Sequence, residues 1–115
     1  MSDLRVLHSP AQWRKLRPEQ LAGTSCVVID VIRATSTIIT ALANGADGVQ
    51  PVADVDDAFA LKEADPDALL AGERGGEALP GFDLGNSPED FTAKRVQDRR
   101  IILTTTNGTR ALAAW

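Results

Sequence analysis

The sequence lacks several features that particular classes of protein require. Its one cysteine, Cys26, excludes an internal disulfide and fits a reducing compartment. It has no basic tract and a net charge of −4, which argues against nucleic acid as a partner, because phosphate backbones are bound by positive surfaces. Its apolar runs are far shorter than the ~20 residues that cross a bilayer, and residues 1–10 lack the apolar core of a signal peptide. These absences predict a cytoplasmic protein.

What the chain does contain is an alternation of strand-like and helix-like segments. With 43% hydrophobic and 24% charged residues it can build a core, and 115 residues suit one domain. We predict strands at 4–7, 25–31, 48–52, 68–72 and 100–106, with a long loop at 73–86. Helices are predicted at 10–16 and 36–45, from Asp54 onward, from the helix start at 87–90, and at 107–115. This alternation predicts an α/β fold, a three-layer α/β/α sandwich with a mostly parallel sheet, over residues 1–115.

Charged and hydroxyl residues follow three of the predicted strands. Ligands of open parallel sheets bind beyond the carboxyl ends of the strands. Arginine, whose planar donors match phosphate, sulfonate or carboxylate oxygens, occurs at each of these three ends, and an acid at two of them. Because acids repel an anion unless a cation bridges them, the pattern also predicts a hard divalent ion such as Mg²⁺. The groups in question are Asp30 with Arg33, Glu73 with Arg74, and residues 106–110, which include Arg110.

Each of these residues also has an ordinary structural interpretation. Asp30 could cap the next turn, Ser87 and Thr109 are typical helix caps, and a single arginine is most simply a surface residue. Cys26 is interpreted as a core residue of the buried strand 25–31. No G-x-x-x-x-G-K-[ST] or G-x-G-x-x-G nucleotide motif is present. What favours a functional site is the coincidence of three arginine-bearing turns at one edge of one sheet.

Four blocks of sequence carry a resemblance to a known family. They are "VVIDVIRATSTIITALANGA" (27–46), "GERGG" (72–76), "GFDLGNSPEDF" (81–91) and "ILTTTNGTRAL" (102–112). In this order and spacing they resemble the 2-phosphosulfolactate phosphatase (ComB) family, in whose amino-terminal half they fall. The resemblance implies an α/β fold and a Mg²⁺-dependent phosphatase that converts 2-phosphosulfolactate to sulfolactate and phosphate in coenzyme M synthesis. It also implies that these residues are the amino-terminal part of a longer chain.

The resemblance also implies site residues. The catalytic candidates are Asp30, Arg33 and Glu73, and the metal candidates are Asp30, Glu73 and Asp83. The substrate candidates are the donors that a ligand with phosphate, sulfonate and carboxylate groups would need: Arg33, Thr35, Ser36, Thr37, Arg74, Asn86, Ser87, Thr106, Asn107, Gly108, Thr109 and Arg110.

Several alternatives stay open at this point. The substrate could be another small phosphorylated acid, or the chain could be a non-catalytic module that binds anions. Attack by water and an aspartyl-phosphate on Asp30 are both compatible with the residues, and so is self-association into a homo-oligomer.

Overall fold

The computed structural model describes residues 3–114. The strands are β1 (Gly48–Pro51), β2 (Leu69–Arg74), β3 (Glu77–Ala78) and β4 (Arg100–Thr104). The α-helices are α1 (Pro10–Trp13), α2 (Ala34–Ala43), α3 (Val55–Ala64), α4 (Ala93–Val96) and α5 (Gly108–Ala113), with 3-10 turns at Pro18–Gln20 and Pro88–Asp90.

The described strands form one sheet in the order β1-β4-β2-β3. β4 pairs in parallel with both β1 and β2, and only the short β3 is antiparallel. At the β2–β4 pairing Gly72 lies against the carbonyl of Thr104, where an added side chain would collide with that carbonyl. The mostly parallel sheet and the helices between its strands confirm the predicted α/β class.

The core lies on both faces of this sheet, because successive residues of a strand point to opposite sides. Ile101 and Leu103 of β4 pack in one cluster with Ala41 of α2. Ile102, between them, packs in a second cluster with Ala58 of α3. Helices therefore cover both faces of the sheet. Each fully buried isoleucine or leucine contributes roughly 1.5–3 kcal/mol of transfer free energy.

Helix α2 presents its small residues to this core. Ala34, Thr37 and Ala41 are buried and recur at the three- and four-residue spacing of one helical face. The helix ends where Gly45 takes a φ of 95°, a conformation that glycine adopts readily. The Asn44 side chain, one residue earlier, donates a 2.7 Å hydrogen bond to the carbonyl of Phe91. The end of α2 is thereby tied to the segment that precedes α4.

The predicted strand at 25–31 is wrong. Residues 25–30 have no regular secondary structure, Val27 and Ile29 are 81% and 80% exposed, and Cys26 is exposed rather than buried. The segment has the composition of a buried strand, but β-branched residues stabilise a strand only when a neighbouring strand supplies hydrogen bonds and packing. Within residues 3–114 no strand pairs with it. Residues 4–7 also form no strand, for the same reason.

The other elements occur with altered bounds. The predicted strands at 48–52, 68–72 and 100–106 are present as β1, β2 and β4, and Asp54 occupies the N-cap of α3. The predicted loop at 73–86 contains the end of β2 and all of β3, and the helix start at 87–90 makes only a 3-10 turn. Helix 10–16 is shorter than predicted, and Trp115, the end of the last predicted helix, lies outside the described residues.

None of the helices formed by residues 3–114 combines the length and the apolar character needed to cross a membrane.

Candidate functional site

The centre of the site is the β4–α5 turn, residues 105–107, which follows the carboxyl end of β4. The Thr105 N–H donates to Thr109 Oγ1 at 2.7 Å, and the Thr109 N–H donates to Thr105 Oγ1 at 3.1 Å. Both threonines are almost fully buried. These reciprocal bonds hold the turn in one shape, and the second satisfies the Thr109 N–H, which the start of α5 leaves without a partner inside the helix. Sequence reasoning assigned Thr109 to the site but missed Thr105, which the run "TTT" could have indicated.

Asp30 reaches this turn although no strand precedes it. A Cβ built on Gly108 would lie 2.9 Å from Asp30 Oδ2 and 2.6 Å from the Cβ of Ala34. Glycine at 108 therefore permits the starts of α2 and α5 to approach each other. The backbone of Asp30 is held by Thr35, which accepts its N–H at 3.0 Å and returns a 3.0 Å bond to its carbonyl. Within residues 3–114 no hydrogen bond is made to the Asp30 carboxylate, so both its oxygens are free to bind a ligand.

The third block of sequence packs against the first. Arg33 donates from Nη1 to Ser87 Oγ at 2.8 Å, and Thr37 donates from Oγ1 to the Asn86 carbonyl at 3.1 Å. Ser87 occupies an N-cap position, but its side chain makes no capping bond and instead orients the arginine. The Asn86 side chain is buried, and its Oδ1 has no partner among the described residues. Ser36 donates to the Val31 carbonyl at 2.6 Å, so its hydroxyl shapes the turn into α2.

Glu73 joins the end of β2 to the β4–α5 turn. Its Oε1 accepts the Thr106 N–H at 2.7 Å, and its Oε2 accepts the Thr106 hydroxyl at 3.0 Å and the Gly76 N–H at 2.8 Å. Burial of this carboxylate raises its pKa. The hydrogen bonds from Thr106 and Gly76, together with the charge of Arg74, outweigh that effect and leave the pKa of Glu73 below its ordinary value.

Arg74 is engaged with its own scaffold. Its Nη2 donates to Thr104 Oγ1 at 2.8 Å and to the Ala53 carbonyl at 3.0 Å, and its Nη1 donates to the Glu73 carbonyl at 2.8 Å. The guanidinium thus links β2 to β4 and to Ala53, two residues before α3. Arg33 is less engaged than Arg74, since among residues 3–114 Ser87 accepts from only one of its five donor positions.

The three acids that sequence reasoning proposed as metal ligands are not gathered at one point. Asp83 accepts the N–H of Leu70 at 2.8 Å, in the amino-terminal half of β2, whereas Glu73 is near its carboxyl end. Across residues 3–114, no group of three histidine, cysteine, aspartate or glutamate side chains is placed to hold a metal ion. Asp83 is therefore a backbone anchor in this structure.

The remaining candidates, Asn107 and Arg110, flank Gly108 in sequence at the start of α5. Arg110 is the third residue of α5 and is partly buried. Asn107 is the N-cap residue of α5 and is exposed.

Two concavities elsewhere, of about 250 and 480 Å³, contain none of the candidate residues. They lie along the amino-terminal segment, with Leu16 in both.

Fold and site together define an α/β domain in which the polar turn after β2 bonds to the turn after β4, and the start of α5 meets the start of α2. The sequence model of the 2-phosphosulpholactate phosphatase family matches residues 11–115, and the chain belongs to that family. This confirms the resemblance drawn from the four sequence blocks.

Curated relatives agree with this assignment. The chain is 54% identical over 96 residues, 82% of its length and 41% of the relative, to a probable 2-phosphosulfolactate phosphatase of Symbiobacterium thermophilum. It is 49% identical over 112 residues, 96% of its length and 45% of the relative, to one of Synechocystis sp.. A third, from Caldicellulosiruptor saccharolyticus, is 45% identical over 102 residues, 89% of the chain and 42% of the relative. The chain thus spans less than half the length of these relatives.

Proposed function

We propose that the full-length protein is a Mg²⁺-dependent phosphatase that hydrolyses 2-phosphosulfolactate to sulfolactate and phosphate, a step of coenzyme M synthesis. The observation that carries the proposal is that the chain belongs to this family and that all four of its sequence blocks join in one network of contacts. The first block touches the fourth at Gly108, the second bonds to it at Thr106, and the third bonds to the first through Ser87.

A small anionic substrate suits the groups at this junction. Arg33 is oriented by Ser87, and its other donors have no partner among residues 3–114, so they are available to phosphate, sulfonate or carboxylate oxygens. Arg110 is also in the first turn of α5, whose Gly108 contacts Ala34, the residue after Arg33. Residues two apart on a helix point in different directions, so this contact does not itself place the Arg110 guanidinium beside Arg33. In the proposed mechanism Arg33 holds one negative group of the ligand, and Arg33 and Arg110 stabilise the charge on its transferring phosphoryl group.

The residues present fit Mg²⁺ in a restricted way. The Asp30 carboxylate accepts no hydrogen bond from residues 3–114, which suits an ion held by one carboxylate, waters and phosphate oxygens. Glu73 and Asp83 fit less well, because each already accepts backbone N–H groups. Bound Mg²⁺ would withdraw charge from the phosphoryl oxygens.

The hydrolysis breaks the bond between phosphorus and the substrate oxygen. A nucleophile oxygen forms a bond to phosphorus, and the leaving oxygen retains the electron pair and takes a proton. Two routes are compatible with Asp30. Either it orients a water that attacks phosphorus, or its carboxylate attacks and forms an aspartyl-phosphate, which water then hydrolyses to release phosphate and regenerate the carboxylate. Trapping of a phosphoenzyme that disappears in Asp30→Asn would identify the covalent route.

The test is phosphate release by the purified full-length protein. The metal is removed with a chelator, 2-phosphosulfolactate is supplied, and Mg²⁺ is then restored. We expect release only after Mg²⁺ is restored. Release that is unaffected by the chelator would contradict the metal dependence, and no release under any condition would contradict the phosphatase assignment.

A panel of phosphorylated hydroxy acids tests the substrate separately. 2-Phospholactate lacks the sulfonate of 2-phosphosulfolactate, and we expect its kcat/KM to be at least tenfold lower, about 1.4 kcal/mol of lost transition-state binding. A higher kcat/KM for another acid would assign a different substrate within the same family. Binding of phosphate without turnover of any ester would favour a non-catalytic anion-binding module.

A further inference from the structure

Glu73 has the surroundings of a residue that holds a turn in place. Its side chain is at the carboxyl end of β2, and the residue is only 7% exposed. Three donors point at it from two different turns: the N–H and hydroxyl of Thr106, and the N–H of Gly76. The Thr106 hydroxyl also accepts the N–H of Gly75 at 3.2 Å. The β2–β3 turn (residues 75–76) and the β4–α5 turn are thus joined through one carboxylate.

We infer that Glu73 is a positioning residue of the active site, which fixes the β4–α5 turn against the β2–β3 turn and neither binds the metal nor touches the substrate. This inference rests on the proposed function, because it assigns a role within that active site. A carboxylate has about four lone-pair sites. Three are used here, at donor–acceptor distances of 3.0 Å or less, and the residue is nearly inaccessible to solvent.

The effect of Glu73 on the chemistry would pass through the backbone. Thr106, which it holds, is two residues before Gly108, and Gly108 is where the β4–α5 segment contacts Ala34 and Asp30. A displaced Thr106 would shift Gly108, and the Asp30 carboxylate that lies against Gly108 would then change position. Because the bonds of Glu73 favour its ionised form, the carboxylate remains a pure acceptor at neutral pH.

The amide of glutamine cannot replace this carboxylate. Glutamine has the same shape, but one of its terminal atoms is a donor. With either orientation of the amide, the N–H of Thr106 or that of Gly76 faces another donor and loses its partner, which costs about 1–3 kcal/mol when the group is buried. Glu73→Gln therefore disturbs the two turns with almost no change in volume.

The experiment compares the full-length wild type with Glu73→Gln and measures three quantities: amide hydrogen exchange in peptides that cover residues 74–78 and 105–109, kcat, and the Mg²⁺ concentration for half-maximal activity. We expect exchange to be at least tenfold faster in both peptides and kcat to be at least tenfold lower. The half-saturating Mg²⁺ concentration should change by less than about threefold, because under this inference Glu73 supplies no oxygen to the ion. Glu77→Gln, an exposed glutamate on β3, is the matched control and should leave all three quantities unchanged.

Two results would overturn the inference: unchanged exchange in Glu73→Gln, or a tenfold or greater rise in the half-saturating Mg²⁺ concentration, which would make Glu73 a metal ligand. If Glu73→Gln does not fold, Thr106→Val serves instead, because it removes only the hydroxyl and keeps the Thr106 N–H on Glu73. It should accelerate exchange at residues 74–78, where Gly75 loses its acceptor, and equal exchange in wild type and variant would refute the link. Absence of turnover in the wild type would refute the proposed function, while the exchange rates would still decide whether Glu73 joins the turns.

Discussion

The close approach of Gly108 to Ala34 predicts that a side chain at position 108 destabilises the protein. In Gly108→Ala the new Cβ would lie 2.6 Å from the Cβ of Ala34 and 2.9 Å from Asp30 Oδ2. Two carbon atoms pack at roughly 3.5–4.0 Å, so the starts of α2 and α5 would have to separate by about 1 Å. The Asp30 carboxylate can rotate away, but the Ala34 Cβ is attached to the helix backbone and cannot.

The expected loss of stability is about 1–2 kcal/mol. Forcing extra volume into a packed site costs about 1–3 kcal/mol, and the better helix propensity of alanine returns up to about 1 kcal/mol. Chemical denaturation of the full-length protein would measure the change. Gly48→Ala is the matched control, because a Cβ built on Gly48 has no atom of residues 3–114 within 4 Å. The activity of Gly108→Ala should also fall, since the Asp30 carboxylate is displaced.

A double variant identifies the cause of that loss. Ala34→Gly removes the atom at 2.6 Å, so Gly108→Ala should cost about 1 kcal/mol less in the Ala34→Gly background than in the wild type. Equal costs in the two backgrounds, or a cost no larger than that of Gly48→Ala, would refute the proposed contact between α2 and α5.

The other predictions concern charge at the site. Arg33→Ala in the full-length protein should lower kcat/KM at least tenfold, which corresponds to about 1.4 kcal/mol of transition-state stabilisation. The control is Lys94→Ala, because Lys94 is an exposed residue of α4. A wild-type kcat/KM in Arg33→Ala would show that Arg33 is not part of the site. Ser87→Ala, which leaves the guanidinium but removes its 2.8 Å acceptor, should have a smaller effect, mainly on KM; a loss as large as that of Arg33→Ala would mean that Ser87 itself binds the substrate. Because the pKa of Glu73 is lowered in the folded state, its ionised form stabilises the fold above its ordinary pKa of 4.5. The difference in unfolding free energy between wild type and Glu73→Gln should therefore be constant near pH 7 and shrink as pH falls through the folded pKa of Glu73. A difference that stays constant down to pH 3, ~1.5 units below the ordinary pKa, would contradict the lowered pKa.

Local patterns in the chain predicted most of the sheet. β1, β2 and β4 are short runs of apolar residues between turn signals, and α2 and α3 have the spacing and caps of helices. These features depend on neighbours within a few residues, so they can be predicted from the sequence. The segment 25–31 shows the limit of that reasoning. It has an apolar, β-branched composition, but a strand also needs hydrogen-bond partners that are distant in the chain, and residues 3–114 supply none.

The sequence by itself determined the α/β class, the family and the set of polar residues from which a site is built, because these follow from composition, order and spacing. Only the tertiary structure decided what each polar side chain contacts. It placed Arg74 on Thr104, Asp83 on the Leu70 backbone and Glu73 on two turns at once. The Asp30 carboxylate lies beside Gly108 and accepts no hydrogen bond from residues 3–114. The physical reason is that a carboxylate or a guanidinium bonds to whichever complementary groups lie within about 3 Å, and those groups are brought there by packing between segments distant in the chain.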